Sequence, residues 1–462
     1  MTKSFSWSDR FQYTMVICVF LHLTFISSLS GQENDVSQKA TFSRYMSSHF
    51  EFTGYIENES AYRLNDPERF TKIQNLLQLE WTWTLTNHLD LYNLTWIFYD
   101  AAYDIDQEDF STEIYDEYRS NVTADRNCEQ IIREIYLDLY LETVQVRLGK
   151  QQVVWGEAIG LRITDIVNPQ DFREFILDDF IDSRIPIWMA KIDVETDFLT
   201  ISALWIPDFE PARFALPGSE WEFTFNKPDL APDMNVDYRE DDEPAQTFAN
   251  SEAGLRCSIF VGGWDLSAYY FYGWDDWSTV HSHYDPSTNT ITFSSQYHQL
   301  QTYGFTFAKA VSSFVSRVEA AYTKDKYLNT AAQNATEGVV QKDFVYYLLG
   351  LDYTVSDYLF NIQFIQKRIF DYEQEIYEDR LQDSLSFWAQ ANFINETVRP
   401  ELLLLYSAND GAWLIRPKIL YKLTDYVSVT LGGDVIEGGD ERSFFGQFDQ
   451  NDRLYLEFKW SF

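Results

Sequence analysis

The segment RLGKQQVVWGEAIGLRITDIVNPQDFREFILDDFIDSRIPIW, residues 147 to 188, concentrates groups that could do chemistry. Arg147, Lys150, Arg162, Arg173 and Arg184 stand among Glu157, Asp165, Asp171, Asp178 and Asp179, with Gln151, Trp155 and Asn168 between them. Cationic and anionic side chains lining a pore select ions and polar solutes by local field and hydrogen bonding. The same charges could equally be salt bridges that fix the segment to a wall, and the two roles are compatible.

Catalytic and metal chemistry finds less support. Beyond residue 30 the histidines are His49, His88, His281, His283 and His298. His281 and His283 form an HxH pair, but without a third ligand they read as exposed loop histidines. No nucleophile motif accompanies them, and no acid and base pair can be singled out among 72 acidic residues. The expectation is a protein that is not an enzyme and carries no cofactor or metal.

The elements that position the segment follow from period-two alternation. Leu454, Leu456, Phe458, Trp460 and Phe462 alternate with Arg453, Tyr455, Glu457, Lys459 and Ser461, one face apolar and the other mostly charged. Leu77, Leu79, Trp81, Trp83 and Leu85 oppose Gln78, Glu80, Thr82 and Thr84 in the same way, and Ile135, Leu137, Leu139 and Leu141 oppose Glu134, Tyr136, Asp138 and Tyr140. A soluble sandwich would turn the apolar face to a core, whereas a barrel turns it to lipid and the charged face to an aqueous lumen. Alternation alone does not say which.

Connection lengths do. Tight links near Asn87-His88, Glu142-Thr143, Glu195-Thr196, Gly262-Gly263, Ser312-Ser313, Ser356-Asp357, Asn395-Glu396 and Asp425-Tyr426 alternate with longer connections near 64–70, 104–128, 156–185, 207–250, 275–296, 325–342, 370–382, 408–411 and 437–451. Short turns at one end and longer loops at the other are the habit of outer-membrane barrels. The reading is all-β: a closed antiparallel transmembrane barrel of about 18 strands, with about 16 as the alternative because boundaries slip by a few residues. A basic and then apolar N-terminus ending in small residues predicts a signal peptide over 1–30, cut near Ser30-Gly31. A periplasmic segment over 31–48 and the barrel over 49–462 complete the organisation.

Within 156–185 the chain is too apolar for an open external loop. Phe172, Phe175, Ile176 and Phe180 fall at near-helical spacing after an Asn168-Pro169 turn, which predicts a short helix in a loop folded into the lumen. At Gly149 the alternation breaks, consistent with a bulge that re-aims Lys150 and Gln151. A formal charge of −37 excludes a nucleic-acid partner, and the aromatic content of 17% suits many strands. Acidic runs at 104–117 and 238–244 read as solvated loops without calcium-ligand spacing. Cys257, between Leu255 and Ile259, reads as a small buried or lipid-facing residue, and no disulfide with Cys128 is assigned.

The pattern R-x-G-K-Q-x-x-x-W-G from Arg147, followed by D-x-x-N-P-x-D at Asp165, Asn168, Pro169 and Asp171, resembles an uncharacterised family of Gram-negative outer-membrane barrels. Some of its members stand beside lipid-exporting pumps of the resistance-nodulation-division type. The resemblance implies a transport-associated barrel in the bacterial outer membrane, in contact with outer-membrane lipid and lipopolysaccharide. Phe458, Trp460 and Phe462 resemble the terminal signal read by the barrel-assembly machinery. Function is therefore read as a channel for polar or amphiphilic solutes narrowed by the 156–185 loop, with a non-conducting receptor or structural barrel as the alternative and a soluble secreted β-protein third.

Overall fold

The computed structural model describes residues 49–102, 128–215, 219–224, 234–332 and 335–462. The expected signal peptide, the 31–48 segment and the acidic run at 104–117 lie outside the described residues.

From the first strand onward the chain runs up and down. It begins with β1 (Phe50–Arg63), β2 (Arg69–Thr86), β3 (Leu89–Asp100), β4 (Cys128–Leu141) and β5 (Val144–Gln151). An inserted segment follows, holding the two-residue strand β6 (Asp171–Phe172) and a one-turn helix, α1 (Phe180–Ser183). The chain then returns through β7 (Ile187–Glu195) and β8 (Leu199–Ile206). A long connection carries β9 (Arg213–Phe214) and β10 (Asn235–Asp242) before β11 (Glu252–Val261) and β12 (Trp264–Trp274). The hairpin β13 (Thr279–Asp285) and β14 (Thr290–Gln296) precedes β15 (Gln299–Val311), β16 (Phe314–Asn329), β17 (Val339–Val355), β18 (Tyr358–Ile369) and β19 (Leu381–Ala391). The last four strands are β20 (Val398–Ser407), β21 (Ala412–Lys422), β22 (Val427–Glu437) and β23 (Arg453–Ser461).

Leaving aside β6, β9, β10, β13 and β14, the strands form one 18-stranded antiparallel sheet that closes when β1 pairs with β23. Closure satisfies every strand edge, which an open sheet in hydrocarbon could not do. All the tight links expected from the sequence fall between paired neighbours. At Gly262-Gly263 both φ values are positive, the backbone that a two-residue hairpin turn requires.

Burial settles the direction that alternation left open. On β23 Arg453 and Tyr455 are buried, whereas Leu454 and Leu456 are 52% and 50% exposed on the outer wall. Phe458 and Trp460 point outward in the same row. Leu255 and Ile259 also face out, which sets Cys257 among outward residues on β11. An apolar exterior around a charged interior matches hydrocarbon outside and water inside.

One local expectation needs correction. Register across β5 is unbroken on both sides, so there is no bulge at Gly149. Instead Gly149 takes φ +144, and a Cβ there would meet the Ile135 carbonyl oxygen at 2.2 Å; glycine is required by the close approach of β4. The bulge lies on β4, where Leu94 pairs with Glu134 and Thr95 with Ile132, leaving Arg133 unpaired in the ladder.

The outward face predicts that Ile362→Lys on β18 lowers stability in lipid by about 2–4 kcal/mol. Equilibrium unfolding from vesicles measures this, and an unchanged stability would contradict an outer wall facing hydrocarbon.

Candidate lumen constriction

Between β5 and β7 the inserted segment leaves the wall and is hydrogen-bonded to strands around the barrel interior. Its two ends are joined by Asn168, which is 1% exposed. The Asn168 Oδ1 accepts from the Val153 amide at 2.7 Å, and its Nδ2 donates to the carbonyls of Gln151 and Ile185 at 3.2 and 2.9 Å. One amide side chain thus replaces the strand pairing that stops at Gln151 and Ile187. Nearby, Asp165 accepts from Arg184 Nε and Nη2 at 2.9 and 2.8 Å, with Arg162 at 3.7 Å.

Further along, wall residues reach in. Glu319 on β16 accepts from the Glu157 amide and the Thr164 hydroxyl, both at 2.6 Å. The chain can approach because residue 156 is glycine: a Cβ there would lie 2.8 Å from Thr164 Oγ1. Gln363 on β18 accepts from the Ile159 amide, and Ser386 on β19 donates to the Ile159 carbonyl. Arg416 on β21 donates to the Leu177 carbonyl at 2.5 Å, Arg133 on β4 donates to the carbonyls of Ile181 and Arg184, and Arg453 on β23 holds Glu174 at 2.9 Å. Asp434, fully buried on β22, joins Arg416 to Arg453 at 2.7 Å each.

Apolar contacts reinforce this. Trp155, 2% exposed, packs on Tyr269 and Phe271 of β12. Ile163 packs with Leu348 and Ile365 on β17 and β18. Phe175 sits among Trp221, Phe444, Phe445 and Phe448, contributed by two long connections between strands. Its φ of 55° is costly for a bulky side chain, and the surrounding rings hold it there.

The expected helix shrinks accordingly. Phe172 and Phe175 are buried as their spacing suggested, yet Asp171 and Phe172 pair in parallel with Arg213 and Phe214 instead. The positive φ of Phe175 also interrupts any helix, leaving α1 as its one turn.

The residues singled out by sequence therefore divide. Trp155, Arg162, Asp165, Asn168 and Arg184 fasten the segment, Gln151 donates within the wall to the Met189 carbonyl of β7 while its own carbonyl accepts from Asn168, and Glu157 pairs with Arg317 of β16. Arg147 stays on the wall, bidentate to Asp138 and stacked on Tyr136. Lys150, Asp171 and Arg173 line a cavity of about 1260 Å³, including open solvent, between the segment and the β1–β4 wall. Glu59, Lys72, Arg133 and Glu174 share that cavity and were not singled out. Their charged alternation was legible for Glu59 and Lys72, but their convergence on one segment was not. A second cavity of about 730 Å³ lies against β19–β21.

The histidines also need correction. His281 is buried and meets His298, not His283, with Nε2 to Nε2 at 2.9 Å and its Nδ1 at 2.8 Å from Glu337. Burial, together with His281, lowers the His298 pKa to about 4. Among the described residues, no group of three or more His, Cys, Asp or Glu side chains is disposed to hold a metal.

Comparison with known proteins gives a family and a fold. A family model described as "Protein of unknown function (DUF1302)" matches residues 71–462. No curated protein matches. Among solved structures, OccAB3 of Acinetobacter baumannii is similar at TM-score 0.51 and 10% identity, covering 90% of this chain and 99% of that one. OccAB2 of the same organism gives 0.51 and 10%, covering 90% and 98%, and OccK8 (OprE) of Pseudomonas aeruginosa gives 0.50 and 9%, covering 89% and 98%. Identities this low establish the shared barrel fold alone.

Removing the Asn168 side chain strands buried backbone groups, so Asn168→Ala costs the docked segment about 1–3 kcal/mol. Amide exchange across 152–186 rises while the barrel strands stay protected. Burial raises the carboxyl pKa of Glu174 to about 7 and that of Asp182 to about 6, above their ordinary 4.5 and 3.8. The docked form thus holds protons that a solvated segment releases, so docking strengthens as pH falls from about 7 towards 4 and loses this contribution above that window. Exchange rates corrected for intrinsic pH dependence report the sign, and faster opening at pH 5 than at pH 7.5 would contradict it.

Proposed function

This chain belongs to the DUF1302 family, and we propose that it is an outer-membrane channel passing polar or amphiphilic solutes through a charged lumen narrowed by the 156–185 segment. The observation that carries this reading is the segment itself, secured to strands on several sides of a closed barrel with a cavity on either flank. Charged and amide side chains on the cavity walls offer hydrogen bonds that replace water around a polar solute. Trp96, Phe98 and Trp221 beside them supply apolar contact for an amphiphilic one.

Location follows the same physics. An apolar outer wall on a closed barrel suits the outer membrane, with the tight links towards the periplasm and the long connections outside. We assign residues 1–30 to a cleaved signal peptide and 31–48 to a periplasmic segment. Outward Phe458, Trp460 and Phe462 would meet lipid and the barrel-assembly machinery. A pump of the resistance-nodulation-division type is a fitting transport partner, on the family resemblance of the Arg147 to Asp171 pattern.

A second reading, a non-conducting receptor or structural barrel, draws on the aromatic pack of Phe175, Trp221, Phe223, Phe444 and Phe448 beneath the external loops. Planar-bilayer recording separates the two. The channel reading expects discrete openings whose conductance rises when residues 160–183 are deleted. No openings from either protein would sink it.

A further inference from the structure

The two cavities share a single lining residue among those described, Asp178. Resting on the channel reading above, we infer that Asp178 is the charge-selecting residue of the passage and that the solutes it favours are cations.

The septum between the cavities is the chain around Ile176 to Phe180, and its backbone is pinned on either side of the carboxylate. Arg416 holds the carbonyl of Leu177, Arg162 that of Phe180, and Arg133 that of Ile181. With these carbonyls fixed, the Asp178 side chain, 31% exposed, is held where the cavities adjoin. Because Asp178 lines both cavities, a solute passing along either flank of the segment meets it. Burial raises the Asp178 pKa above the usual carboxylate range, with Lys72 acting against the rise, and in its ionised form the group attracts cations and repels anions over a few ångströms, where water screens least.

The surroundings reinforce its sign. Acidic side chains outnumber basic ones eight to five among the residues lining the first cavity, and three to two in the second, an excess that remains negative at pH 7 with Glu174 half-protonated. The cation nearest Asp178 is Lys72, at 3.5 Å, but it lies closer to Glu59, at 2.9 Å. Lys72 is therefore already partnered on the wall and does not cancel Asp178. Removing Asp178 would leave the Lys72 and Glu59 pair in place, so the local field should shift without loss of the wall.

The test is the reversal potential across a planar bilayer under a potassium chloride gradient, using the full mature protein. Wild type should prefer potassium, and Asp178→Asn should lower the cation-to-anion permeability ratio about 25-fold, because one unit charge at contact in water favours the cation about fivefold and disfavours the anion about fivefold. Asp178→Lys should carry the preference towards chloride. Asp425→Asn, the same charge change on an exposed periplasmic-side turn, should leave the ratio near wild type. Heat-modifiable migration checks that each variant keeps its barrel. Openings with an unchanged ratio in both Asp178 variants would overturn the role of Asp178 while leaving the channel reading intact. Absence of openings in the wild type would overturn this inference, and absence of openings in the 160–183 deletion as well would overturn the channel reading with it.

Discussion

Everything else in the molecule depends on the pairing of β1 with β23. Tyr55 to Arg63 run antiparallel to Arg453 to Ser461, so the first and last strands complete one ring of ladder hydrogen bonds. In hydrocarbon an unpaired backbone group costs several kcal/mol, and only closure removes the whole edge at once. The Phe462 carbonyl continues the seam by accepting from the Gly54 amide and the Thr53 hydroxyl. Once the ring closes, the period-two alternation of every strand acquires a fixed inside and outside.

The inside then has to be filled or wetted, and the segment between β5 and β7 does both. Ion pairs alone would hold it poorly, because desolvating buried charges offsets most of their attraction. Full burial of a large apolar side chain contributes roughly 1.5–3 kcal/mol, and Trp155, Ile163, Phe175 and Leu177 are all nearly fully buried. Apolar packing therefore supplies the adhesion. The arginines on β4, β21 and β23 decide where along the wall it settles, since each meets a particular carbonyl or carboxylate.

Much of this fold was legible in the chain. Tight links such as Gly262-Gly263 and Ser356-Asp357 mark strand ends because local backbone geometry demands particular residues there, and alternation marks the strands between them. The helix over 171–181 was over-read for a physical reason. Apolar spacing reports which side chains seek burial, but Phe172 and Phe175 found partners in distant loops that imposed an extended pair and a left-handed residue instead. His281 and His298 were missed as a pair because seventeen positions, including the whole of β14, separate them.

The segment from Arg147 to Arg184 shows where the division falls. Sequence by itself determined that it is unusual, that the strand pattern gives way to a turn at Asn168-Pro169, and that its mixed charges require partners. It could not say which charges fasten the segment and which face the cavities. Tertiary structure decided that Asp165 and Arg184 close on each other, while Asp171, Arg173 and Asp178 remain at cavity walls. The physical reason is range: alternation and turn chemistry act within a few residues, whereas Arg133, Glu319, Arg416 and Arg453 are distant in the chain and meet this segment through the closed barrel.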